Sequence, residues 1–388
     1  MRPETQAIRT QLRRGEHKEH AAPIYMTSSY VFNDAEDMRA MFAEEKEGCV
    51  YSRYSNPNTS EFIEKVTILE GAEAGWATAS GMAAVFSVFG ALLDQGDHIV
   101  SCRSIFGSTH KLLTEVLPKW GIFHTYVSHD DYQGFENAIT NTTKVLYLET
   151  PSNPGLDIID LEQIGKLCKK HKILFVVDNC FATPIIQRPI DYGAHLVIHS
   201  ATKFMDGQGR SLGGVIVGYK NLIDDVKAFA RHTGPCLSPF NAWLLSKSLE
   251  TLDVRLERHC KQALEIAGRL EELGDKINWV KYPHLRSHPN YDLAIKQMKW
   301  GGGIISFELK GGLSAGKRFL DQIEMFSLSA NLGDTRSIAT HPASTTHSKL
   351  TKEARETVGI TDGLIRLSIG LENIEDIWRD LVKGLLRC

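Results

Sequence analysis

The sequence predicts an α/β fold built on a large, doubly wound, mostly parallel sheet, with a smaller α+β unit after it. Two short apolar runs, Ile173-Leu174-Phe175-Val176-Val177 and Leu196-Val197-Ile198, read as buried strands of a parallel sheet. From about residue 60 to 235, helix-like and strand-like segments alternate, the pattern of a sheet with helices on both faces. At 388 residues the chain exceeds what a single core usually accommodates, so a division into units is expected.

Residues 1–55 form a polar arm punctuated by Tyr25, Tyr30, Phe32, Tyr51 and Tyr54, with little sign of a core of its own, so it must pack on something else. Residues 56–240 carry the alternating segments: Glu61 to Glu70, Met82 to Leu93, His98 to Ser101, Lys111 to Trp120, Lys144 to Leu148 and Leu161 to His171, then the two apolar runs. Residues 241–388 form the smaller unit. It is joined through the stretch Pro239 to Leu273, whose near-helical apolar spacing reads as one long or broken helix. The strands expected beyond it are Ile304 to Leu309 and Leu364 to Ile369.

Composition excludes several classes. A net charge of −3 gives no electrostatic reason to expect nucleic acid or an anionic membrane, which leaves small molecules as the expected partners. No apolar run approaches the roughly 20 residues needed to cross a bilayer, and no leader is evident, so a cytoplasmic address is expected. The seven cysteines are odd in number, widely spaced and without a C-x-x-C pair, so they suggest neither a disulfide framework nor a metal knuckle.

The apolar runs stop on chemistry. The first ends at Asp178, and the second leads through His199-Ser200-Ala201-Thr202 to Lys203. In parallel sheets ligands sit beyond the carboxyl ends of the strands, so Asp178 and Lys203 should face one crevice. A lysine is ordinarily a surface residue, but this one lies among small residues just past a buried strand, before the sharp turn Phe204 to Gly209. An acid closing five apolar residues must be paired or solvated. An amine able to form a Schiff base, a carboxylate for a pyridinium nitrogen and hydroxyls for a phosphate are what a pyridoxal phosphate site requires. The helix start Ala79-Ser80-Gly81-Met82-Ala83-Ala84 adds free backbone N–H groups suited to the same phosphate, a reading that gains meaning only beside Ser200 and Thr202. One decoy is set aside. Gly311-Gly312-Leu313-Ser314-Ala315-Gly316-Lys317 has the spacing of a nucleotide-binding loop, but Arg318 stands where the magnesium-binding hydroxyl belongs, so a turn and a helix start are expected there.

Six segments together resemble the Cys/Met-metabolism family of pyridoxal phosphate enzymes: Tyr51-Ser52-Arg53-Tyr54-Ser55-Asn56-Pro57; Ala79 to Ala84; Glu149-Thr150-Pro151-Ser152-Asn153-Pro154; Val177-Asp178-Asn179 with Phe181-Ala182-Thr183-Pro184; Ser200 to Lys203; and Leu364-Ile365-Arg366-Leu367-Ser368-Ile369-Gly370-Leu371-Glu372. The resemblance implies an aspartate aminotransferase-like fold of type I. It implies that Lys203 bonds the cofactor, that Asp178 pairs its pyridinium, and that Ser200, Thr202, Gly81 and Met82 bind its phosphate. Phe106 would stack on the ring, Asn153 would lie near the phenolic oxygen, and Arg366 would grip the substrate α-carboxylate, with Asn331 also touching substrate. Tyr51 and Arg53 would reach a neighbouring subunit's phosphate site, in a homo-oligomer that is a tetramer built as a dimer of dimers.

Phe106 stands where many relatives have tyrosine, which keeps a stacking ring and loses its hydroxyl. The segments Ser329 to Asp334 and Gly234 to Trp243 are similar to the branch that replaces the acyl group of O-succinylhomoserine with sulfide, giving homocysteine and succinate in methionine biosynthesis. Cystathionine γ-synthase, O-acetylhomoserine sulfhydrylase and cystathionine or methionine γ-lyase are the neighbouring activities. A non-catalytic protein that keeps the cofactor cradle is the alternative of a different class.

Overall fold

The computed structural model describes residues 1–346, 348, 351–356 and 359–387. A seven-stranded sheet forms its centre, from β1 (Ala74–Thr78), β2 (His98–Cys102), β3 (Phe123–Val127), β4 (Thr143–Glu149), β5 (Leu174–Asp178), β6 (Leu196–Ser200) and β7 (Gly214–Gly218). The strand order is β1-β7-β6-β5-β4-β2-β3. β7 runs against both of its neighbours, and the pairs from β6 through to β3 are parallel.

Register fixes where the site lies. Glu149 at the end of β4 stands opposite Asp178, and Asp178 opposite Ile198, so three adjacent strands finish nearly level. β2, β5 and β7 consist largely of buried apolar residues, with short continuous runs rather than alternation, as strands covered on both faces require. The helix Gly81–Leu92 is apolar almost throughout because it packs closely on β6 and β7. Ser80 starts it by accepting a hydrogen bond from the Ala83 amide at 3.1 Å.

A second, five-stranded sheet comprises β8 (Ile277–Lys281), β9 (Ile304–Leu309), β10 (Ser327–Leu328), β11 (Ile338–Thr340) and β12 (Leu364–Ser368), in the order β10-β11-β12-β9-β8. Its own core gathers Leu270, Phe307, Phe319, Ile365 and Leu381 from β9, β12 and the helices Leu252–Glu271, Gly312–Gln322 and Ile374–Leu386.

Several elements refine the sequence reading. The stretch from Pro239 is a broken helix, Pro239–Leu249 followed by Leu252–Glu271. Lys111 to Trp120 is not one regular helix: a short α-helical turn ending at Lys111 continues as a π-type turn, Leu112–Val116, and a 3-10 turn, Leu117–Trp120, where Pro118 cannot donate to an α-helical ladder. The glycine-rich decoy is a turn, with Gly311 and Gly312 at positive φ, entering the helix Gly312–Gln322. The first 55 residues hold two short helices, Pro3–Arg9 and Ala35–Phe42, and Ala7 is their one buried apolar residue. Met26 and Val31 of this arm are 69% and 98% exposed. Among the described residues no helix is long and apolar enough to cross a membrane.

Candidate active site

Asp178 is the last residue of β5 and is buried. Its Oδ1 accepts from the Cys180 amide at 3.1 Å and its Oδ2 from the Tyr147 hydroxyl at 3.4 Å. Both donors are neutral, and burial pushes the carboxyl above the usual aspartate range. Among the described residues no Lys or Arg forms an ion pair with it, so the site holds a buried acid that lacks a cation.

Lys203 follows β6 by three residues, its amide donating to the Ser200 carbonyl. Its Nζ turns inward and donates to Asn331 Oδ1 at 2.8 Å. Burial and then the Arg366 charge lower its pKa, favouring a neutral amine. The segment carrying Asn331 presses on the lysine: Gly333 has φ +77°, and a Cβ there would lie 2.6 Å from the Phe204 amide nitrogen.

Arg366 enters from the middle of β12 and is 6% exposed. Nη1 donates to Asn153 Oδ1 at 2.9 Å, and Nη2 to the Asn331 carbonyl at 3.1 Å and more weakly to the Ala330 carbonyl and the Thr340 hydroxyl, each at 3.4 Å. Every one of these acceptors is neutral. Burial brings the guanidinium down to about 10, with Glu149 opposing the shift. A desolvated guanidinium held by neutral oxygens is a receptor for a carboxylate.

The third side of the site is a close meeting of backbone. A Cβ at Gly81 would sit 2.6 Å from Ser200 Cβ and 3.0 Å from its Cα, so only glycine lets this helix start reach the end of β6. The first-turn amides of Gly81 and Met82 belong to the set an α-helix leaves without internal acceptors. The Thr202 hydroxyl faces the Gly213 backbone, donating to its carbonyl at 3.3 Å and accepting from its amide at 3.2 Å. Phe106 starts the helix Gly107–Lys111 and is 43% exposed.

Two groups were not singled out from the sequence. Glu149 is buried beside Asp178 and accepts from the Phe106 amide at 2.7 Å; burial and the Asp178 charge push it well above the ordinary carboxylate range. Its signal was present, since it closes the apolar run Val145-Leu146-Tyr147-Leu148 as Asp178 closes its own. Cys180 is the other, and nothing in its sequence position marked it. Tyr51 and Arg53 lie apart from this group. Arg53 donates to the Arg231 carbonyl and stands over Tyr54 at 4.7 Å and Tyr51 at 5.5 Å.

Pyridoxal phosphate fits these residues. The buried Asp178, with neutral donors alone, suits a pyridinium nitrogen; the lowered Lys203 amine suits a carbonyl carbon; and the space that a Gly81 Cβ would fill opens helix amides beside Ser200.

The comparisons with known proteins agree. The family model for Cys/Met metabolism PLP-dependent enzymes matches residues 4–386. The chain is 44% identical to the O-succinylhomoserine sulfhydrylase of Pseudomonas aeruginosa over 382 residues, 98% of this chain and 94% of that protein. It is equally 44% identical to an L-methionine γ-lyase of Fusobacterium nucleatum over 368 residues, 94% of this chain and 93% of the other. A solved Campylobacter jejuni structure, assigned as an O-acetylhomoserine (thiol)-lyase and containing N'-pyridoxyl-lysine-5'-monophosphate, superposes with a TM-score of 0.95 at 34% identity and full coverage of both chains.

Proposed function

The chain belongs to the Cys/Met metabolism family of PLP-dependent enzymes, and from that premise we propose that it exchanges the succinyloxy group of O-succinylhomoserine for sulfide, releasing homocysteine and succinate. The observation that carries the reading is that Lys203 and Arg366 both bond Asn331, while the buried Asp178 ends the strand paired with the one that leads to Lys203. The 44% identity to an O-succinylhomoserine sulfhydrylase supports the choice of substrate. Equal identity to a methionine γ-lyase makes elimination from methionine the second reading.

In this reading Lys203, Asp178, Ser200, Thr202 and the amides of Gly81 and Met82 would hold the cofactor, with Phe106 available to its ring and Asn153 to its phenolic oxygen. Bound pyridoxal phosphate supplies an electron sink for carbanions on the amino-acid substrate. Asp178 keeps the ring nitrogen protonated, which makes that sink deep. Arg366 takes the substrate α-carboxylate through its planar fork, and Asn331 completes that end of the pocket. Lys203 carries the protons: it removes one from Cα and one from Cβ, the γ-acyloxy group leaves as succinate, sulfide adds at Cγ, and the lysine returns the protons. Asn331, bonded to Nζ at 2.8 Å, would keep the amine inside the crevice during turnover, while it is free of the cofactor and carries protons.

Assembly belongs to the same proposal. The arm, with its exposed Met26 and Val31, packs on a second copy, where Tyr51 and Arg53 reach the phosphate site; two such dimers make a tetramer in the cytoplasm. One panel tests the substrate reading. Purified enzyme is offered O-succinyl- or O-acetylhomoserine with sulfide or cysteine, and methionine alone. The proposal expects homocysteine to form fastest from the succinyl ester and sulfide. Faster release of methanethiol from methionine, or faster formation of cystathionine, would replace it.

A further inference from the structure

Between the Asp178 end of β5 and the Ser200 end of β6 lies one side chain to which no role has been given. The chain turns immediately after Asp178, and the Cys180 amide closes that turn on Asp178 Oδ1 at 3.1 Å. The Cys180 Sγ then accepts from the Ser200 amide at 2.8 Å. In between, the Asn179 amide donates to the Ile198 carbonyl at 3.0 Å, which prolongs the pairing of the two strands up to this point. Cys180 therefore touches, through two different atoms, the acid assigned to the ring nitrogen and the residue that packs on Gly81 and accepts from the Lys203 amide.

We propose that Cys180 is a positioning residue for cofactor binding, its thiol and amide setting the separation between the Asp178 carboxylate and the Ser200–Lys203 turn. The inference rests on the assignment of Asp178 and Ser200 given above. The thiol suits the task because it both donates and accepts. Burial and the Asp178 charge push it well above the usual thiol range, so it stays S–H. It can then donate toward the carboxylate while accepting from Ser200, holding two turns with one atom. A hydroxyl reproduces both bonds; a methyl reproduces neither and leaves the Ser200 amide without its acceptor.

The test is pyridoxal phosphate affinity, measured by equilibrium dialysis on full-length protein resolved from its cofactor, with thermal melts to establish that each variant is folded. Cys180→Ala should bind pyridoxal phosphate about tenfold more weakly than wild type, and Cys180→Ser within about threefold of it. A merely space-filling role would lower the melting point of both variants without the serine restoring affinity. Wild-type affinity in folded Cys180→Ala, or equal weakness of the two folded variants, overturns the inference. Asp178→Asn separates the layers. If it loses affinity while Cys180→Ala does not, only the role of Cys180 falls; if it binds as wild type, the assignment of Asp178 falls and takes this inference with it.

Discussion

Asp178 would be a poor choice of residue for stability alone, because a buried carboxylate that accepts only from neutral donors costs free energy until a cation arrives. Replacing it with asparagine removes the charge and keeps the shape. Cofactor affinity should fall by roughly 10- to 100-fold, the range for a lost charge-assisted hydrogen bond, as read by dialysis. In the proposed role Arg366 takes the substrate carboxylate, and its charge also lowers the Lys203 pKa. Arg366→Gln should raise KM about tenfold or more and change kcat less. The same variant carries a pH sign. A nearby positive charge lowers the Lys203 pKa, so its removal raises that pKa, and the amine becomes neutral only at higher pH. The pH midpoint for uptake of pyridoxal phosphate by the cofactor-free protein should therefore move upward; a downward or null shift contradicts the coupling. Asp178 and Lys203 were legible because each ends or follows an apolar run, whereas Arg366 was marked by the resemblance of its segment to the family. Cys180 was not, because its meaning lies in a contact with Ser200 across two strands, which residue spacing does not encode.

Among the elements, those with a clear period were readable and those shaped by neighbours were not. Leu161–His171 was found whole from its helix-like spacing, and in the structure Asp160 caps its start by accepting from the Gln163 amide. β7 was not read as a strand, because glycines flank its three apolar residues and weaken the pattern, yet it is the strand that closes β1 onto β6. β3 escaped for a different reason: it is an edge strand with polar and exposed positions. The break after Leu249 carries neither proline nor glycine, so only packing could reveal it. Two predictions belong here. Gly81→Ala forces a methyl to within 2.6 Å of Ser200 Cβ and 3.0 Å of its backbone, so the helix start must retreat. Melting should report a loss of about 1–3 kcal/mol, together with weakened cofactor binding. His259, on the helix Leu252–Glu271, is buried with Nδ1 on the Ile369 carbonyl at 2.6 Å, and its ring lies edge-on to Phe204 at 5.5 Å. Burial brings it down to about 4 from 6.5. Between those pH values the unfolded chain binds a proton that the folded one refuses. Stability should therefore be full above pH 6.5 and fall by roughly 3 kcal/mol as pH drops to about 4. His259→Gln should flatten that part of the profile in urea titrations at stepped pH.

At the scale of the whole molecule, the sequence disclosed the α/β class and the strands that Asp178 and Lys203 end or follow, because the alternation of segments and the acid-tipped strands are local patterns. It also marked the arm as lacking a core, which the exposure of Val31 at 98% bears out. In the proposed assembly a second copy covers that arm. If Tyr51 and Arg53 serve a neighbouring subunit, then Lys203→Ala and Arg53→Ala, each inactive alone, should regain activity when unfolded and refolded together, since mixed dimers carry one intact site. Continued inactivity of folded mixed oligomers would place the arm residues outside the site.

The account stands on Lys203 being the amine that bonds the cofactor. Borohydride reduction of the holoenzyme followed by peptide mapping tests this directly: the pyridoxyl label should be found on the peptide containing Lys203 and be absent from the Lys203→Ala protein. A label on any other lysine, or the same labelling in the variant, would contradict it.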